Sequence, residues 1–224
     1  MLKAIVFDFD GTLLESAEIK TEAFAALFSE YPQHQRRIVE YHLAHEGISR
    51  YVKFREIYRD ILERPLGQEE EKRLGLTFGR LIADKIAVCS LVPGARAFLE
   101  NVASRYKCFI ASGAPEAELR PLVAQRGLSE FFDEVHGAPT SKPEILQGLL
   151  RQHALDPSEV LSIGDALSDL EAAQSVRIPF VGRVRRGEAG TFPCGKTAAL
   201  FHDFDELGKG WNAILAQIRR PCGA

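Results

Sequence analysis

Cysteine is scarce in this 224-residue chain: Cys89, Cys108, Cys194 and Cys222 are the only four. They stand far apart and form no C-x-x-C pair, so neither a zinc site nor a disulfide framework is signalled. Cys108 lies in an apolar run and is expected to be buried. Long hydrophobic runs are also missing. A membrane span needs about 20 apolar residues, and no stretch approaches that, so no membrane partner is expected. The apolar run after Met1-Leu2-Lys3 is too short for a signal-peptide core, and acidic residues follow it at once. A reducing cytoplasm is the simplest compartment. Positive charge is not in excess: 28 Lys and Arg against 31 Asp and Glu leave a net charge of −3. A general nucleic-acid binder carries a basic footprint, so no nucleic-acid partner is expected. The sequence has no internal repeat and no low-complexity segment. With 46% hydrophobic and 26% charged residues, it reads as an ordinary globular chain rather than a disordered one.

Leu2–Phe7 is a continuous apolar run that ends at Asp8. Such a run predicts a strand covered on both faces, as in a parallel sheet. Lys107–Ala111, ending at Ser112-Gly113, and Val160–Ile163, ending at Gly164-Asp165, read the same way. Ile178–Val181 and Ala199–Phe201 are weaker candidates. Helical spacing fills the intervals: Ala95 to Val102, Leu119 to Val123 before Gly127, Ile145 to Leu150 after Pro143, Leu170 to Val176, and Leu207 to Ile218. Strands alternating with helices predict an α/β fold with a mainly parallel sheet. The stretch from Glu15 to about Ser90 contains no good strand run and reads as four helices. The expected organisation is therefore a core made of residues 1–14 and 91–224, with an all-helical cap inserted over 15–90.

In open parallel sheets, ligands bind at the carboxyl ends of the strands. Three such ends carry polar residues here: Asp8-Phe9-Asp10-Gly11-Thr12, Ser112-Gly113 and Gly164-Asp165. Asp8 and Asp10 are two residues apart, and close carboxylates repel unless a cation or a shared proton relieves them. A hard divalent cation with oxygen ligands, such as Mg²⁺, would do so. Asp165 can supply a third carboxylate, and Lys142 can bring one positive charge to the same cleft. Thr12 either bonds near a ligand or satisfies the turn.

These motifs resemble those of the haloacid dehalogenase-like superfamily of phosphohydrolases. Asp8-Phe9-Asp10-Gly11-Thr12-Leu13 is similar to its first motif and Ser112-Gly113 to its second. Lys142 in Ser-Lys-Pro-Glu resembles the third, and Gly164-Asp165-Ala166-Leu167-Ser168-Asp169 the fourth. The resemblance covers the whole chain and implies a Rossmann-like core, and the inserted helices look like the family's C1 cap. It implies a Mg²⁺-dependent phosphatase acting on a small soluble phosphomonoester, of the sugar phosphate or phosphoglycolate class. Asp8 would be the nucleophile and Asp10 the general acid and base. Ser112, Gly113 and Lys142 would bind the phosphoryl group. Asp8, Asp10 through its carbonyl, and Asp165 would hold the metal, with Asp169 orienting them through water or Lys142. A monomer or a homodimer is expected.

In the cap, Arg50 and Lys53 lie one helical turn apart and can share a face. That face either grips a second anion of the substrate or is an ordinary solvated surface. Ser49 is placed to cap the helix they begin. His42 and His45 read as surface or packing residues. Gly47-Ile48-Ser49-Arg50 also resembles a cap loop of β-phosphoglucomutases, which leaves a phosphosugar mutase as an alternative. A catalytically inactive phosphate-binding regulatory protein is a third reading, opposed by the intact set of motif residues. The segment Arg183 to Glu188 is charged and is expected to be a solvated loop.

Overall fold

The computed structural model describes residues 1–187 and 192–218. Its strands are β1 (Ala4–Phe7), β2 (Lys107–Pro115), β3 (Glu134–Ala138), β4 (Val160–Gly164), β5 (Phe180–Arg183) and β6 (Ala199–Phe201). All neighbouring pairs are parallel, in the order β3-β2-β1-β4-β5-β6. β1 lies at the centre, and its four residues are almost fully buried. Successive side chains of a strand point to opposite faces. Ile5 and Phe7 accordingly enter one hydrophobic cluster, while Ala4 and Val6 enter a second on the other face. That is why β1 reads as an unbroken apolar run. β3 escaped detection for the converse reason. It is an edge strand, and its Glu134 and His136 remain partly exposed, so its sequence alternates and includes a glycine.

The segment between β1 and β2 opens with α1 (Ala17–Leu27), α2 (Gln35–Ala44), α3 (Arg50–Glu56) and α4 (Gln68–Val88). The expected third helix begins at Arg50 and continues past Glu56 as one π-helical turn, Ile57–Ile61. Ser49 stands at its N-cap position but makes no side-chain capping bond. Phe24, Phe28, Phe54 and Phe78 fill the space between these helices, with Phe24 and Phe78 meeting edge to face at 4.9 Å. The chain leaves and re-enters the sheet side by side. Val92 N donates to Leu13 O at 3.0 Å, and Glu15 N donates to Ser90 O at 3.0 Å. Leu13 and Leu14 are fully buried there and belong to a cluster that runs from the sheet into the helices.

Helices α5 (Ala95–Ala103), α6 (Glu116–Gln125), α7 (Lys142–Gln152), α8 (Leu167–Ser175) and α9 (Phe204–Ile218) cover the sheet. α7 starts where the sequence says it should. Ser141 and Glu144 form a reciprocal capping box, and Pro143 occupies the first turn, where its missing N–H costs nothing. Cys108 is buried as expected, while Cys222 lies outside the described residues. No helix among the described residues is long and apolar enough to cross a membrane.

Candidate active site

Parallel strands put their carboxyl ends on one edge of the sheet. The turns after β1 and β4, the end of β2 and the start of α7 therefore meet. Asp8 is buried, and its Oδ1 accepts a hydrogen bond from Lys142 Nζ at 2.8 Å. Lys142 also donates to Asp169 Oδ1, while Asp169 Oδ2 accepts from the Ala166 amide at 3.1 Å. Carboxylate oxygens of Asp8, Asp165 and Asp169 all lie within 4.8 Å of one another. One ammonium thus pairs with two of these three carboxylates, Asp8 and Asp169. Burial raises the Asp8 carboxyl against the pull of Lys142, with Asp169 adding to the rise. Asp165 is raised well above the usual range, by burial first and then by Asp8 and Asp169. Lys142 moves up, because the two carboxylates outweigh the cost of its burial. The surplus of negative charge on hard oxygen donors fits a divalent cation such as Mg²⁺.

Asp10 is placed differently. Its carboxylate leaves the triad and accepts from Ser16 Oγ at 2.8 Å, with Lys20 Nζ 2.5 Å away. Burial pushes the Asp10 carboxyl up, but Lys20 and the two hydrogen bonds outweigh it and hold it below the usual range. Lys20 was not singled out from the sequence. The available signal was its spacing from Ser16, one helical turn along the first cap helix.

Gly11 makes the turn between these carboxylates possible. Its φ is +80°, and an added Cβ would stand 2.1 Å from Asp165 Oδ2. Thr12 Oγ1 donates to Asp165 Oδ1 at 2.8 Å, tying the β1 turn to the β4 turn. Ser112 is buried at the end of the apolar part of β2, and its Oγ accepts from the Ala114 amide at 3.1 Å. Gly113 lies against the cap loop. A Cβ there would meet the Gly47 carbonyl at 2.3 Å.

The cleft of about 590 Å³, counting its open mouth, is lined by Asp8, Asp10, Ser112, Gly113 and Asp165 from the core and by Lys20, Arg50 and Lys53 from the cap. Arg50 and Lys53 are not a solvated face. Both are buried, at 6% and 3% exposure. Arg50 makes a two-point pair with Glu118 of α6, at 2.7 and 3.3 Å, and packs over Phe78. Glu118 was invisible to sequence reasoning, since its partner is 68 residues away. His42 packs against Phe24 and is buried, in line with the packing reading. Arg183 is not in a solvated loop either. It ends β5, is 4% exposed, and donates to Gly11 O at 2.5 Å, His202 O at 3.0 Å and Glu15 Oε1 at 2.6 Å. Glu188, at the far end of that segment, lies outside the described residues.

Residues 2–177 match the family of haloacid dehalogenase-like hydrolases. A phosphoglycolate phosphatase of Rhodospirillum rubrum is 27% identical over 226 residues, covering 93% of this chain and 90% of that one. A phosphorylated carbohydrates phosphatase of Thermotoga maritima is 29% identical over 192 residues, covering 79% and 82%. Among solved structures, CbbY from Rhodobacter sphaeroides in complex with phosphate superposes with a TM-score of 0.69 at 22% identity, over 93% of this chain and 97% of that one. A hydrolase from Pseudomonas syringae gives 0.74 at 20% identity, over 95% and 99%. At these identities the superpositions show the shared fold. The family match runs from the strand that carries Asp8 through the helix that carries Asp169, and the chain belongs to the haloacid dehalogenase-like hydrolases.

Proposed function

We propose that the protein is a Mg²⁺-dependent phosphatase of small soluble phosphomonoesters, of the sugar phosphate or phosphoglycolate class, working in the cytoplasm through an aspartyl phosphate on Asp8. The observation that carries this reading is the cluster of Asp8, Lys142, Asp165 and Asp169, whose Asp8 and Asp165 line one cleft together with Ser112 and Gly113. We take residues 1–14 and 91–224 as the core domain and 15–90 as the cap.

An Asp8 carboxylate oxygen attacks phosphorus, and the bond to the leaving alkoxide oxygen breaks. Asp10 gives its proton to that oxygen. The phosphoryl group entering beside Asp10 adds negative charge, which raises its carboxyl and lets it carry the proton. Asp10, now ionised, takes a proton from water, which attacks the aspartyl phosphate, releases phosphate and restores Asp8. Ser112, the Gly113 amide and Lys142 bind the phosphoryl oxygens. Asp169 holds Lys142 in line with Asp8. Asp8, the Asp10 carbonyl and Asp165 would hold Mg²⁺, with Asp169 beside them. When bound, the metal offsets the repulsion between the Asp8 carboxylate and the phosphoryl group.

Phosphate release from a panel of phosphomonoesters, with Mg²⁺ and with EDTA, tests the reading. Release is expected only with metal, and Asp8→Asn is expected to abolish it while leaving the unfolding transition in place. Turnover that survives EDTA or Asp8→Asn would sink it. Conversion of β-glucose 1-phosphate to the 6-phosphate without net release would replace it with the mutase.

A further inference from the structure

Three basic side chains of the cap line the cleft, and their counterions are unequal. Lys20 has Asp10 at 2.5 Å, and Arg50 has Glu118 at 2.7 Å. Lys53 has no carboxylate in ion-pair contact among the described residues. Its Nζ donates to His42 Nδ1 at 3.2 Å and to the His42 carbonyl at 3.4 Å, and it stands 5.3 Å from the centre of the Phe24 ring. Glu46 is close enough to act on it, but the Glu46 carboxylate faces Arg185 at 3.4 Å.

His42 cannot serve as a counterion. It is 3% exposed, and burial together with Lys53 pushes its imidazole down to about 2, so the ring stays neutral. It is an acceptor that fixes where the ammonium sits. An ammonium has three donors. His42 takes two, and the third remains for the cleft. A buried charge is costly without a partner, and burial, followed by Lys20, accordingly lowers the Lys53 amine to about 7. An anion in the cleft would reverse that penalty.

We propose that Lys53, held by His42, is a subsite for a second anionic group of the substrate. The preferred substrates are then small phosphomonoesters that also carry a carboxylate or a second phosphate, rather than those whose remainder is neutral. This rests on the phosphatase reading and narrows its substrate class. Of the two cap residues expected to share this role, it keeps Lys53 and leaves out Arg50, whose charge Glu118 already meets.

The test compares kcat/KM for 2-phosphoglycolate, fructose 1,6-bisphosphate and the neutral-bodied p-nitrophenyl phosphate in wild type, Lys53→Met and Lys53→Arg. Removing the cationic donor of a hydrogen bond to an anion corresponds to about a 10- to 100-fold change. The ratio of an anionic substrate to p-nitrophenyl phosphate is expected to fall by about that much in Lys53→Met, mainly through KM, and to recover in part in Lys53→Arg. The two anionic arms decide between carboxylate and phosphate. An unchanged ratio in both arms overturns the proposal. Calorimetric titration of Asp8→Asn with 2-phosphoglycolate, fructose 1,6-bisphosphate and methyl phosphate, with and without Lys53→Met, reads the subsite without turnover. Preference for either anionic ligand that disappears with Lys53 supports it, and equal or absent binding of all three overturns it. Absence of phosphate release from any substrate would instead defeat the phosphatase reading, and the titration still decides the subsite.

Discussion

Asp8 and Lys142 show how two opposite charges hold each other inside a protein. Neither is solvated, they lie 2.8 Å apart, and Asp169 grips the same ammonium from the other side. The lysine cannot swing away without leaving two buried carboxylates unpaired. His42 and Lys53 carry the opposite kind of strain, since both lose solvent and neither gains an acid. This has a consequence for stability. Unfolded His42 takes up a proton near 6.5, whereas folded His42 stays neutral down to about 2. Between those values the unfolded chain binds the extra proton, so stability falls as pH drops below 6.5. One proton corresponds to about 1.4 kcal/mol per pH unit. Lys53 contributes with the same sign higher up, between about 7 and 10.5. Urea unfolding at pH 7.5 and at pH 5.5 is expected to show the acid loss in wild type and a flatter dependence in His42→Gln. Equal slopes in the two proteins would mean that His42 titrates normally in the fold.

At the scale of elements, the site is an assembly of ends. β1 delivers Asp8, β2 delivers Ser112, β4 delivers Asp165, and the first residue of α7 is Lys142. β5 takes part too, through Arg183. Its guanidinium spans the Gly11 carbonyl, the His202 carbonyl and the Glu15 carboxylate, so it fixes the turn behind Asp10 and the approach to α1 together. Arg183→Met leaves two carbonyls without their donor, which costs about 1 kcal/mol each, while half-exposed Glu15 can turn to water. A stability loss of about 2 kcal/mol is expected, with kcat falling about 10- to 100-fold because Asp10 shifts and KM moving less. Thermal unfolding and steady-state kinetics check this. A pure loss of stability with unchanged kcat at a temperature where the variant is folded would rule out the positioning role. Arg183 had read as part of a solvated loop because its charge said surface. Its three partners, at sequence distances of 19, 172 and 168, say otherwise, and no local pattern records them.

Across the whole molecule, the cap and the core are held by a few polar contacts around the cleft. Arg50 pairs with Glu118, Ser168 Oγ donates to Glu46 O at 2.8 Å, and the Gly47 carbonyl packs on Gly113. Water can replace polar links of this kind, whereas it cannot replace the packing of the buried leucines at the crossing. Glu118→Gln weakens the clasp and is expected to raise KM by about 3- to 10-fold and to enlarge the radius of gyration measured by solution scattering with Mg²⁺ and a phosphate mimic. An unchanged radius and KM would show that Arg50 is only a packed residue of the cap.

The sequence by itself determined the parallel sheet, the place of the helical insertion and the carboxyl-end motifs. These depend on local patterns: an unbroken apolar run where a strand is covered on both faces, helical spacing where one face is covered, and a short polar string where a strand stops. β3 escaped because an edge strand is not buried on both faces. Only the tertiary structure decided which charges neutralise which. Asp10 with Lys20, Arg50 with Glu118, Arg183 with Glu15, and Lys53 with the neutral His42 in place of a carboxylate are pairings that only the folded chain brings together. Electrostatic pairing depends on distance and burial in space, and the order of residues along a chain fixes neither.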